Sequence, residues 1–180
     1  MAKLSHSSAV VGAHRLLYSC VERHIVIHTI VESEIGDLLL LGDGQALTGL
    51  YTSEHVRKPQ LVGDRDDQAF AAAREQLNEY FAGERRQFDL KLVPKGTDFQ
   101  RTVWNELCLI PYGETASYGE LAHRIGSPTA VRAVGLANGR NPLSIVIACH
   151  RVIGGRGALT GYAGGLAIKE WLLKHETSLA

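Results

Sequence analysis

The chain lacks most of what would place it outside the cell or in a membrane. Only three cysteines, Cys20, Cys108 and Cys149, occur in 180 residues. They are too few and too scattered for a disulfide framework, so a reducing, cytoplasmic setting is expected. No apolar run is long enough to span a bilayer. The short apolar run at residues 9–11 is followed by His14-Arg15, which argues against a secretory signal, and residues 1–23 read as an extension with few structural signals. Net charge is missing as well, with 19 Lys+Arg against 19 Asp+Glu, so bulk charge points to no partner. No glycine-rich phosphate loop, internal repeat or low-complexity tract is present, and no cofactor is expected.

The most informative absence is local. Between Leu121 and Ile168 there is no Asp or Glu, but there are five arginines: Arg124, Arg132, Arg140, Arg151 and Arg156. An uncompensated positive field of this kind suits phosphates and therefore a nucleic-acid partner.

A hydrophobic content of 45% in 180 residues is enough to bury a real core, in one domain or two small ones. Residues 24–32 and 36–51 read as strands, the second stretch broken at Gly42-Asp43-Gly44 by a hairpin-type turn. Residues 66–82 carry Phe70, Ala73, Leu77, Tyr80 and Phe81 at helical spacing and stop at Gly83. Residues 88–93 alternate like a further strand. Pro94-Lys95-Gly96 then forms a linker before a helix capped by Thr97 with Gln100 at N3. Cys108, between Leu107 and Leu109 in that helix, is expected in the core.

A helix-turn-helix follows. Ser117 and Glu120 fit a capping box for a helix over residues 118–125, ended by Gly126-Ser127. Ser127 with Pro128 at the first helical position starts a second helix over residues 128–138, and Gly139 fits the position just beyond its end. This second helix is built mostly of Ala, Val and Gly around one long cation, Arg132. Small residues let a helix approach another surface closely, and an arginine is rarely buried unpaired.

Residues 145–147 read as a short apolar strand leading to Cys149-His150. A thiol beside a potential base is a candidate nucleophile, because the thiolate is the reacting form. Neighbours in extended chain face opposite ways, so a bridging water between His150 and Cys149 is expected, with a third group orienting the imidazole.

Asn141-Pro142, the run from Cys149 to Ile153, Leu159-Thr160-Gly161-Tyr162 and residues 169–176 together resemble the O6-alkylguanine-DNA alkyltransferase family, over roughly residues 97–176. The resemblance implies an α+β fold. Its first part, residues 24–93, is an N-terminal β-sheet with a helix, ribonuclease H-like; residues 94–180 form a mostly helical domain with the helix-turn-helix. It further implies minor-groove binding to duplex DNA, flipping of an alkylated guanine, and irreversible transfer of the O6-alkyl group to Cys149. In this correspondence His150 is the base acting through water and Glu176 orients it. Asn141 is the hinge, Arg132 fills the stack left by the flipped base, and Tyr118 turns the target phosphate. Ala130, Ala133 and Arg151 lie with Arg132 at the DNA, and Gly161, Tyr162 and Ala163 line the guanine pocket. The family has proline before the cysteine where this chain has Ala148, a change expected to loosen the segment without removing a reactive atom.

Two other readings compete. A non-enzymatic binder of alkylated DNA, of the alkyltransferase-like type, would lack the cysteine. A thiol hydrolase built on Cys149 and His150 would leave the helix-turn-helix and the arginines without a purpose. Cys20 and His24 stand at helical spacing but have no second pair of ligands, so no metal is expected. The range of alkyl groups, activity on O4-alkylthymine and self-association along DNA are open at this level.

Overall fold

The computed structural model describes residues 26–61 and 63–178; Cys20 and His24 lie outside them. Three strands, β1 (Ile27–Val31), β2 (Leu38–Gly42) and β3 (Leu47–Thr52), form an antiparallel sheet in that order. The β2–β3 turn is closed by the Asp43 carboxylate, which accepts the backbone N–H groups of Gln45 and Ala46 at 2.9 Å each. Gly42 is required there, because a Cβ would meet Ala46 O at 2.4 Å. β2 is buried along its whole length, so its sequence is a continuous apolar run rather than an alternation. Leu38 and Leu40 share one core with Phe70, Ala73, Leu77 and Tyr80, and that core continues through Trp104 to Cys149.

Helix α1 (Ala71–Phe81) starts later than its sequence pattern suggests. Asp66 accepts the N–H groups of Gln68 and Ala69 (3.1 and 3.0 Å), and this local turn takes the donors that an earlier helix start would use. Gly83, with φ of +80°, ends it as expected. The strand expected over residues 88–93 is reduced to a single bridge, Leu47 with Leu92. The physical reason lies at the free edge of β3. Leu47 bonds to Lys91 and Val93, while Leu50 accepts from Ser144 N (3.0 Å) and donates to Pro142 O (2.8 Å). Two segments share one short edge, so neither becomes a strand, and the sheet thereby grips the segment that leads to Cys149.

Helices α2 (Asp98–Cys108) and α3 (Tyr118–Arg124) both begin with complete capping boxes, Thr97 with Gln100 and Ser117 with Glu120. Cys108 is exposed rather than core. The buried stripe of α2 is Val103, Trp104 and Leu107, and the next residue is turned about 100° away from it. Gly126 (φ +71°) closes α3, with Ser127 N donating to Ala122 O at 2.9 Å.

Helix α4 is Val131–Asn138, three residues shorter at its start than expected, with Ala130 at the N-cap and no side-chain cap. Ser127 accepts the Ala130 N–H through its backbone carbonyl (2.9 Å), so residues 127–130 form a turn rather than a helix start. Gly139 keeps right-handed helical angles (φ −71°) and is the cap itself, not the left-handed residue after it. A two-stranded parallel pair, β4 (Ala116–Ser117) with β5 (Val152–Ile153), and the final helix α5 (Leu166–Ser178) complete the fold. Among the described residues no helix is long and apolar enough to cross a membrane, and no cluster of residues could hold a metal ion.

Candidate active site

The strand expected at residues 145–147 is absent; two tight turns take its place. Val146 N donates to Ser144 O (2.7 Å) around Ile145, whose φ is +69°. Cys149 N donates to Ile147 O (2.7 Å) around Ala148, at φ −74° and ψ 54°. The first is a strained conformation for a β-branched residue. It is held because Ile145 is fully packed and because Asn141 takes over the backbone partners that a strand would have used. Asn141 Nδ2 reaches Ile147 O (2.8 Å), Leu143 O (3.3 Å) and Cys149 Sγ (3.0 Å), while its Oδ1 accepts Leu143 N (2.9 Å). Asn138, the last residue of α4, adds a bond to Cys149 O (3.4 Å). Both asparagines tie the end of α4 to the thiol. Trp104 fixes the same helix from behind through Ala137 O (2.9 Å).

Cys149 starts a short 3-10 turn, Cys149–Arg151, and is 4% exposed. Burial pushes its thiol up to about 11, against the opposing pull of the Asn141 bond and the Lys169 cation. At pH 7 the free thiolate would be about one part in ten thousand, so nucleophilic use of this cysteine requires a base.

The base and its support lie next to it, all buried. His150 Nε2 and Glu176 Oε1 are 2.8 Å apart. Arg151 grips the same carboxylate through Nε (2.8 Å to Oε2) and Nη2 (3.0 Å to Oε1). Tyr80 donates its hydroxyl to Oε1 (2.8 Å) and Gly113 its N–H to Oε2 (3.2 Å). Burial alone would raise Glu176, but the His150 and Arg151 bonds outweigh it and hold the carboxyl far below the usual range. Burial also lowers His150, with Glu176 pulling the other way. An ionised carboxylate can only accept, so the neutral imidazole carries its proton on Nε2. Nδ1, which has no hydrogen-bond partner among the described residues, is left as the acceptor.

Arg151, expected at the DNA, is therefore turned inward. It is 7% exposed, and besides Glu176 it donates to Ile110 O. A buried guanidinium needs such partners and is not available to phosphates. The other expected contacts do lie outward: Arg132 and Ala133 are exposed on α4, and Ala130 is half-buried at its cap. Tyr118, at the start of α3, lies with its ring beside Gly135 of α4, and its hydroxyl is 3.4 Å from Thr160 O and 3.5 Å from Gly161 O. Tyr162 and Ala163 are half-buried and Gly161 is exposed in the same loop.

Two buried residues to which the sequence pattern assigns no role in the site also reach it, Lys169 and Tyr80. Lys169 Nζ is fully buried and donates to Val152 O and to Thr160 O (2.9 Å), tying the loop that bears Tyr162 to β5. Its signal is visible afterwards: Lys169, Leu172 and Glu176 form the buried stripe of α5, and two charges on an inward stripe are costly unless they are used. Tyr80 had no such signal, because it looks like any aromatic of a packed helix.

Two family models cover nearly all the described chain. Residues 98–178 match the 6-O-methylguanine DNA methyltransferase DNA-binding domain, and residues 26–94 match the ribonuclease-like domain of the same methyltransferase. A methylated-DNA–protein-cysteine methyltransferase of Methanosarcina acetivorans is 52% identical over 153 residues, spanning 84% of this chain and 98% of that one. The protein of the same name from Mycobacterium bovis is 53% identical over 151 residues, 83% of this chain and 92% of that one. The crystal structure of Mycobacterium tuberculosis OGT in complex with DNA superimposes with a TM-score of 0.81 at 51% identity, covering 86% of this chain and 94% of that one. With both halves matched in order, and relatives matched over nearly their whole length, the chain belongs to the 6-O-methylguanine DNA methyltransferase family.

Proposed function

We propose that this protein repairs DNA by taking the alkyl group from the O6 atom of an alkylated guanine onto Cys149, once per molecule. The observation that carries the reading is the buried Cys149 thiol beside a neutral His150 whose Nε2–H is pinned to Glu176. The proton passes from the thiol through a water to His150 Nδ1. The sulfur pair then forms a bond to the alkyl carbon as the carbon–oxygen bond breaks. The electrons of that bond pass to the guanine, which is protonated or hydrogen-bonded as it leaves, and the Tyr118 hydroxyl supplies that bond. The product is a thioether, which no group in the site can reverse, so the molecule is spent.

A base in the stack cannot be reached by a buried thiol, so the target nucleotide must be flipped out. Arg132, exposed on a helix of small residues, enters the minor groove and fills the vacated space. The loop carrying Gly161, Tyr162 and Ala163 closes on the guanine. Intact-mass and peptide spectrometry after exposure to an oligonucleotide containing O6-methylguanine tests this. One methyl group per protein on Cys149 is expected, with Cys149→Ser binding DNA but accepting none. Turnover beyond one equivalent, or a methyl group on Cys108 or Cys20, would refute it.

A further inference from the structure

Among the described residues, the hydroxyl of Tyr80 is the one donor to Glu176 that comes from the N-terminal half of the chain. Tyr80 is fully buried near the end of α1, 96 residues in sequence from the carboxylate that it meets at 2.8 Å. A ring packed for its apolar area alone would not need its hydroxyl directed at a buried anion, and a phenylalanine would fill the space. Its neighbours hold the ring tightly. Phe81, Phe88, Tyr112 and His175 surround it with centroid distances of 5.3, 5.4, 6.1 and 5.4 Å, and His175 Nε2 lies 2.8 Å from Tyr80 O. Oε1 of Glu176 thus receives three donors: the phenol, His150 Nε2 and Arg151 Nη2.

We infer that Tyr80 is a positioning residue for alkyl transfer, acting through Glu176: its phenol, bonded to Oε1, shares the charge of the carboxylate that faces His150 Nε2, and so keeps the imidazole neutral with Nδ1 open to the thiol proton. The N-terminal domain is then part of the chemical apparatus and not merely a partner in folding. This rests on the reading of His150 as the base. The charged and titratable groups facing the pair are Arg151 and Cys149 from the 3-10 turn, Lys169 and His175 from α5, Tyr112 from the turn after α2, and Tyr162 from the loop before α5.

The direction of the effect follows from the geometry. A hydrogen bond donated to Oε1 withdraws negative charge from the carboxylate. Without it the carboxylate faces Nε2–H as a stronger anion and favours the imidazolium, which cannot accept a proton. The test is Tyr80→Phe in the full chain, with single-turnover transfer from duplex DNA measured across pH. The acid limb of the rate should move up by about half to one pH unit. Well down the acid limb transfer should be about three- to tenfold slower, the gap narrowing at pH 7 to at most about threefold and to within about twofold of the parent above pH 8.5. The nitrogen-15 shifts of the His150 ring should follow the same displacement without any reaction.

Phe88→Leu disturbs the same aromatic cluster and spares the phenol. It should lower Tm and leave the acid limb in place. Equal slowing at every pH in Tyr80→Phe, or an acid limb and His150 shifts identical to the parent, would overturn the inference and reduce Tyr80 to packing. Failure of the underlying reading has a different signature: His150→Gln would transfer at the parental rate with Tyr80 intact.

Discussion

Replacing Ala148 by proline should stabilise the protein and leave its chemistry nearly unchanged. Proline requires φ near −65 ± 15°, and Ala148 already sits at −74°. Proline also has no N–H to donate, and the Ala148 N–H donates no hydrogen bond among the described residues. The Cys149 N to Ile147 O bond that defines the turn does not involve the replaced atoms. Space is the remaining condition. Ala148 is 2% exposed, but it lines a groove of about 420 Å³ together with Ile145, Val146 and Arg151, into which the ring can extend.

With the native conformation compatible, the gain comes from the unfolded chain, roughly 0.4–1 kcal/mol. For a chain of this size each kcal/mol moves Tm by about 2–4 °C, so a rise of about 1–4 °C is expected. Ala148→Gly should shift it the other way, since it frees the unfolded chain and removes a buried methyl. Thermal melts give the first quantity, and single-turnover transfer should stay within about twofold, because the turn carrying the thiol is already formed. A fall in Tm would refute the reasoning by showing that Ile147, the residue before the ring, cannot accept proline after it. A tenfold change in rate would show that the turn must open during transfer.

Acid should unfold the protein in two steps whose sign follows from its buried groups. His150 is lowered in the fold, so its contribution is complete above the unfolded value of about 6.5 and declines as pH falls below it. Glu176 is lowered too, so its contribution is complete above about 4.3 and declines toward stronger acid. Melts across pH should show the upper step reduced in His150→Gln, with the remainder carried by His55, which burial also lowers. Glu176→Gln should flatten the lower step and cost roughly 3–5 kcal/mol at pH 7, because Arg151 is left buried and unpaired; a cost below about 1 kcal/mol would contradict the buried-pair geometry. Arg132→Ala should slow transfer at saturating duplex and spare the free alkylated base, whereas Arg156→Ala should lose only affinity, with a salt slope smaller by about one; equal slowing of both variants would refute the intercalating role of Arg132.

The parts of this molecule legible from sequence were those governed by local chemistry. The capping boxes at Thr97 and Ser117, the stop at Gly83 and the hairpin at Gly42-Asp43-Gly44 depend on a few neighbouring residues, and they appear where expected. The errors fall where tertiary partners override local pattern. Residues 145–147 are apolar and β-branched, with Ile145 and Ile147 buried, yet Asn141 takes the bonds that would have made them a strand. Residues 88–93 alternate, but β3 offers them only one position on its edge. Arg151 looked like a phosphate ligand when counted among five arginines. Only the position of Glu176 on α5, 25 residues away, reveals its inward use. Tyr80 was legible solely as a core residue, since sequence carries no trace of where a phenol points.

In the proposed mechanism the charges around Cys149 keep the thiol protonated at rest and ready to give up its proton to His150. An isolated carboxylate beside His150 would favour the imidazolium, and the base would be protonated before it was needed. Arg151 cancels that charge through two bonds, and Tyr80 and Gly113 absorb the remaining acceptor capacity, so His150 stays neutral while its orientation is kept. With Glu176 and Arg151 offsetting each other, Lys169 leaves one positive charge whose field acts on the sulfur. In the proposed transfer a proton leaving Cys149 for His150 therefore does not create a lone anion in apolar surroundings, which would cost several kcal/mol. It creates a thiolate already faced by a fixed cation. Lys169 is held for that purpose by two backbone carbonyls, Val152 O and Thr160 O, which solvate the ammonium without neutralising it. A carboxylate partner in their place would have stabilised Lys169 better and the thiolate not at all.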